Sequence, residues 1–297
     1  MDLWILLWYL IFSGGIDWWL YLLLGGLSVF TGIIGSMLGL GGGFLNVPIL
    51  HYIANERISV AIGTSLFIIM FTSFSATVEY ARKGVVDYKL GLILAVASIP
   101  GAFLGAYLTG WIQEIVLKII FGAVLVAVGF SMIFKNRIKT LGSSQETLKE
   151  VKPIKRILVW KRVIKFVNGE SREYFVNLPL GVVFSFMAGL ASGLLGIGGG
   201  IVQVPVLNIA LGVPMIVAVA TSVFIITLTS LVGSFEHIML GQVNWQIGFV
   251  MIIGAVIGAQ IGTRITLRIA PHLLRKIFGV TLILISIQMI YEALVSL

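Results

Sequence analysis

Apolar residues run along the chain in long blocks, each ended by glycines, a proline or charge. The blocks predict helices near residues 18–38, 58–81, 86–108 and 113–134, and again near 176–197, 215–238, 243–265 and 271–293. Two shorter blocks, 43–54 and 200–211, each follow three consecutive glycines. Residues 3–12 are apolar but too few to span a bilayer, which takes about 20. They are expected to seat in the membrane as a lead-in to the first span. Asp2 stands where a signal peptide would carry basic residues, so a cleavable leader is not expected.

The blocks repeat. Shifting the chain by 157 residues lays GIIGSMLGLGGGFLNVPIL (32–50) on GLASGLLGIGGGIVQVPVL (189–207) without a gap. The same shift lays VAIGTSLFII (60–69) on VAVATSVFII (217–226), Glu79 on Glu236 and Gly84 on Gly241. Three regions follow: an N-terminal membrane repeat with its lead-in (1–134), a basic linker (135–175) and a C-terminal membrane repeat (176–297).

Composition places these blocks in a bilayer. Of 297 residues 59% are hydrophobic and 11% charged, where a soluble domain carries about 25% charged. An all-α polytopic membrane protein is the expected fold class. With no cysteine, disulfides, thiolate nucleophiles and thiolate metal sites are excluded. The net charge of +8 comes almost wholly from the linker, which holds 11 of the 20 Lys and Arg residues. Such a segment reads as a cytoplasmic loop facing anionic membrane lipid, and not as a nucleic-acid surface. Within it, Ile157, Trp160, Val163, Ile164 and Val167 would share one side of a helix, predicting an interfacial helix over 154–167. Protein docking is the alternative there.

The same charges bear on topology. If each short segment crosses the membrane, the repeats have five crossings each and the second is inverted. Only Arg57 and Lys118 of the 20 basic residues then lie opposite the linker. If the short segments re-enter, the topology is 4+4, and the cluster from Arg264 to Lys276 falls on the outer side too. The positive-inside rule favours the inverted 5+5 arrangement.

Candidate chemistry sits in the glycine–proline stretches. Gly41, Gly42 and Gly43, with Gly198, Gly199 and Gly200, can expose backbone groups, and Pro48 and Pro205 interrupt the helices that follow. Irregular backbone at membrane depth needs protein or water around it, so a lined cavity between the repeats is expected. Asn46 and Gln203 share one repeat position and should face that interior. Thr64, Ser65, Thr221 and Ser222 supply hydroxyls at the start of the next helices. These neutral donors, with half-helix N-termini, suit a small anion. Glu79 and Glu236 are candidate proton carriers, and His51 could line the cavity from the short segment. No catalytic set, metal-ligand spacing or cofactor motif occurs, so neither an enzyme nor a cofactor is expected.

The paired stretches Gly39–Pro48 and Gly196–Pro205, with Thr64-Ser65 and Thr221-Ser222 downstream, resemble the sulfite exporter TauE/SafE family of permeases. The resemblance spans the chain apart from the first 15 residues and much of 135–175. It implies a secondary transporter of the cytoplasmic membrane that exports a small sulfur-containing anion, such as sulfite or an organosulfonate. It also implies coupling to an ion gradient, with proton and sodium both open. An anion channel or a non-transporting receptor or scaffold is the alternative function. Assembly as a homo-oligomer is compatible with the sequence.

Overall fold

The computed structural model describes residues 18–108, 126, 130, 159–165 and 171–295. The lead-in, the block at 113–134 apart from residues 126 and 130, and most of the linker lie outside these residues. The first repeat contributes α1 (Trp18–Leu38), α2 (Gly43–Pro48, continued by a π-helical turn at Ile49–Ile53), α3 (Ile58–Arg82) and α4 (Tyr88–Leu108). Strands β1 (Val159–Lys165) and β2 (Ser171–Asn177) follow. The second repeat contributes α5 (Leu178–Leu195), α6 (Gly200–Pro205, continued by a π-helical turn at Val206–Ala210), α7 (Met215–Met239), α8 (Trp245–Arg268) and α9 (Pro271–Val295). Among the described residues, six helices (α1, α3, α4, α5, α7 and α8) are long and apolar enough to cross a membrane.

The 157-residue offset recurs in the backbone. Both ends of α2, of its π-helical turn and of α3 map onto those of α6, its turn and α7 without a shift. The left-handed residues Gly39, Gly41, Gly42, Asn55 and Gly84 map onto Gly196, Gly198, Gly199, Gly212 and Gly241. Each π-helical turn follows a proline, Pro48 or Pro205. The missing proline amide leaves the ladder one donor short, which favours the wider turn.

The repeats interlock. Helices α3 and α7 pack together at the centre, α1 lies on α8, and α5 lies on α4. Small residues set these contacts. A Cβ on Gly258 would come 2.1 Å from the Val29 carbonyl oxygen, and one on Gly101 would come 2.2 Å from that of Phe186. Gly32 meets Ala255, and Gly262 meets Ile33 and Ser36, so contacts advance together along α1 and α8. Along α4 and α5, Gly101 meets Phe186 and Leu190, and Gly105 meets Leu190 and Leu194, again in step. Close helix contact through small residues gains van der Waals packing, the main attraction between helices in lipid. The outward faces carry Leu22, Phe30, Val96, Phe103, Ile253 and Ile257, all exposed. Such an apolar exterior suits lipid.

The linker departs from the expected interfacial helix. Residues 159–165 form a strand paired antiparallel with 171–177, Arg162 opposite Tyr174 and Trp160 opposite Val176. The working period is two. Ile164, Tyr174 and Val176 are buried against Leu90, Leu94, Leu211, Val213 and Val217. Val163 and Lys161 point outward, where Lys161 pairs with Glu173 at 2.9 Å. The β-branched residues of VWKRVIK favour this extended form, and a partner strand with an apolar seat stabilises it.

Candidate substrate site

The two glycine stretches meet at the centre of the bundle. A Cβ on Gly43 would lie 2.6 Å from the Gly196 carbonyl oxygen, and one on Gly200 would lie 2.4 Å from that of Gly39. Only glycine permits this approach. Gly41 and Gly198 both pack beside Ile69 and Ile226, the mid-helix residues of α3 and α7. Gly42 (φ 90°) and Gly199 (φ 71°) turn the chain into the short helices.

Ser65 donates to the Gly196 carbonyl and Ser222 to the Gly39 carbonyl, both at 2.9 Å. Each serine therefore clamps the opposite repeat's glycine stretch. Thr64 Oγ1 accepts from the Asn244 amide at 2.9 Å, and Thr221 Oγ1 from the Asp87 amide at 3.1 Å. The four hydroxyls brace the crossing, and the two serine protons are already committed in this conformation.

Asn46 and Gln203 are both buried, at 1% exposure, and they differ. Gln203 Nε2 donates to Ser185 Oγ at 2.9 Å, leaving Oε1 without a partner. Asn46 sits at the equivalent place, with Ser28 where Ser185 stands. Its amide is one methylene shorter, and Ser28 bonds the Gly25 carbonyl at 2.7 Å instead. Both Nδ2 and Oδ1 of Asn46 are left unpaired, as is Ser192 Oγ. A buried amide without partners costs about 1–3 kcal/mol. An orphaned polar group of this kind calls for a ligand or water.

The remaining candidates lie at helix ends. Glu79 is buried and lies 3.6 Å from Arg82 and 3.7 Å from Arg264. Glu236 is half-buried and its Oε2 has no hydrogen-bond partner. Next to it, His237 is fully buried, with Nδ1 2.7 Å from Gln242 Oε1. His51 closes a local turn, Nδ1 lying 2.8 Å from the Glu56 carbonyl. These groups are not drawn together with Asn46 and Gln203 by any of these contacts.

Sequence patterning does not single out Asp87, yet it is the centre of a buried ionic cluster. Arg162 donates to it through Nε at 2.8 Å and through Nη2, and Tyr174 donates at 2.6 Å. Asp87 caps α4 by accepting from the Leu90 amide at 3.1 Å. Burial pushes its carboxyl up, but the bonds from Arg162, Tyr174 and Leu90 outweigh that and hold it below the usual range. Its repeat counterpart, Asn244, caps α8 and donates to Glu56 Oε1 at 2.7 Å. An acidic residue just before an apolar helix, matched by an asparagine in the other copy, was the available signal.

Long apolar helices around a crossing of two glycine-broken segments define a multi-spanning membrane protein of transporter type. Among the described residues, no group of three His, Asp or Glu could hold a metal ion. The chain belongs to the sulfite exporter TauE/SafE family, whose model matches residues 22–289, and is thus a membrane transporter and not an enzyme. It is 34% identical over 277 residues to the probable membrane transporter protein YunE of Bacillus subtilis, covering 91% of this chain and 97% of the relative. It is 28% identical to the probable membrane transporter protein MJ0441 of Methanocaldococcus jannaschii, covering 82% and 86%. Sulfite exporter TauE/SafE family protein 6 of Arabidopsis thaliana is 22% identical, covering 86% and 76%. No solved structure matches the chain.

Proposed function

We propose that the protein is a secondary transporter carrying a small oxyanion, sulfite or a short organosulfonate, across the cytoplasmic membrane. The observation that carries this reading is the pair of buried, incompletely bonded amides, Asn46 and Gln203, beside the crossing of the glycine stretches. An oxyanion accepts hydrogen bonds from neutral donors, and Asn46 Nδ2 and Ser192 Oγ are donors without partners. The family and the name of the Arabidopsis relative support sulfur-containing anions as the class.

In this reading Asn46, Gln203 and the backbone at Gly41–Gly43 and Gly198–Gly200 contact the substrate. Thr64, Ser65, Thr221 and Ser222 position those stretches. An inverted 5+5 arrangement accompanies it. The register of contacts supports α1 running with α8 and α4 with α5. Helix α3 also keeps pace with α8, from Thr64 beside Asn244 to Ser75 beside Gln260. Helix α4 turns back after α3 at 83–87, so α5 runs opposite to α1. Two short broken segments meeting beside the middles of α3 and α7 suit alternating access. Glu236, with a free carboxylate oxygen, is the coupling residue in this scheme.

The test is flux in liposomes. The purified protein should carry sulfite or a short sulfonate with saturation and competition among close analogues. Flux of an organic cation, with sulfur oxyanions, sulfonates and carboxylates all inert, would overturn the reading. Currents far above carrier turnover would replace the carrier by a channel.

A further inference from the structure

The two ends of the repeat crossing are held differently, and the difference lies in the linker. At one end Asn244, a neutral cap, binds Glu56. At the other, Asp87 is fully buried and gripped by Arg162 and Tyr174, which come from opposite strands of the hairpin. Arg162 is braced in turn, its guanidinium lying 4.4 Å above the Trp160 ring. The hairpin's apolar face seals the same end, where Ile164, Tyr174 and Val176 cover Val213 and Leu211, in the connection between α6 and α7.

The Asp87 cluster is wired to the candidate substrate site. The Asp87 amide binds Thr221, and the adjacent Ser222 binds the Gly39 carbonyl at the glycine crossing. Moving Asp87 therefore pulls on the residue pair that holds one glycine stretch in place.

We propose that the β1–β2 hairpin is a latch, in which Arg162 and Tyr174 on Asp87 hold the linker end of the transporter shut and must release for that end to open. The inference rests on the transport reading only for its consequence, since the latch itself can be detected without any substrate. Its logic is that of a two-state element biased by one buried ionic contact. Once the grip is lost, the hairpin keeps only its apolar seat, and water gains access to the α6–α7 connection.

The experiment uses the full chain, which has no native cysteine. A single cysteine replaces Val213, fully buried beneath the hairpin, and its labelling by a membrane-impermeant maleimide is timed. Asp87→Asn is the principal variant. Asparagine caps α8 at the equivalent position, so the helix cap survives while the charge is removed. Arg162→Gln is the second. Either should speed labelling about tenfold or more, the factor matching loss of one charge-assisted bond. Unchanged labelling in both folded variants would overturn the latch. In a further arm, cysteines at 87 and 162 are joined by a short reducible cross-linker. Anion flux should stop when the link forms and return on reduction. Full flux through completely linked protein would also overturn it. Faster labelling in variants of a protein that carries no anion would leave the latch standing and sink the transport reading.

Discussion

Lengthening Asn46 to glutamine separates a substrate role from a packing role, because the two roles respond with opposite signs. In the second repeat Gln203 reaches Ser185 Oγ at 2.9 Å. In the first, Ser28 occupies the serine position, donates to Gly25 and keeps lone pairs free to accept. Even a Cβ added at Gly42 would fall 3.8 Å from Asn46 Nδ2, an ordinary van der Waals separation. Asn46→Gln should therefore supply the missing bond and recover about 1 kcal/mol of the desolvation now left uncompensated. The folded protein should melt at a higher temperature. The amide, once bonded to Ser28, is withdrawn from the oxyanion. Loss of a bond to a charged group is worth about 1.5–3 kcal/mol, so affinity should fall about 10- to 150-fold. Thermal unfolding in detergent and calorimetric titration with sulfite measure the two effects on one sample. Asn46→Leu is the comparison, removing the donor without restoring a bond. A glutamine variant that binds sulfite like the wild type would take Asn46 out of the site. One that melts lower would refute the proposed bond to Ser28.

Two further outcomes are expected. Lys83 and Leu240 are repeat equivalents and both exposed, so single cysteines there should label from opposite membrane faces, Lys83→Cys from the linker side. Labelling from one shared face would exclude the inverted 5+5 arrangement. Glu236→Gln should still bind the anion yet lose acceleration of transport by a pH gradient, measured with a pH-jump in liposomes. Wild-type acceleration would assign Glu236 to structure.

The helices were legible because each is one apolar block closed by strong punctuation. The expected segments at 43–54, 58–81 and 215–238 correspond to Gly43–Ile53, Ile58–Arg82 and Met215–Met239. Charge and glycine at their ends define them without tertiary context. The hairpin was not legible, since Trp160 and Ile164 satisfy a helical and an alternating pattern alike. Its partner strand, which decides between them, is a separate stretch of the chain. For the candidate site, the repeat pointed to Asn46 and Gln203 but could not tell them apart. Which amide reaches a serine depends on one methylene across a tertiary contact. The threonine and serine hydroxyls look alike in sequence, and only the long-range bonds to Asn244, Asp87, Gly39 and Gly196 distinguish their duties.

The crossed packing of α1 on α8 and of α5 on α4 also shapes how the protein is made. When the first repeat has left the ribosome, the small-residue grooves of α1 and α4 still lack the two helices, α8 and α5, that pack into them. Their partners, α8 and α5, are synthesised only after the linker. Lipid tails fill those grooves poorly, because the notches were shaped for backbone approach by another helix. The nascent first repeat is therefore a loose assembly awaiting its second half, with its grooves open to wrong partners in the meantime. Translation of the last long helices, and not insertion of the first, is the step at which this transporter acquires its tertiary structure.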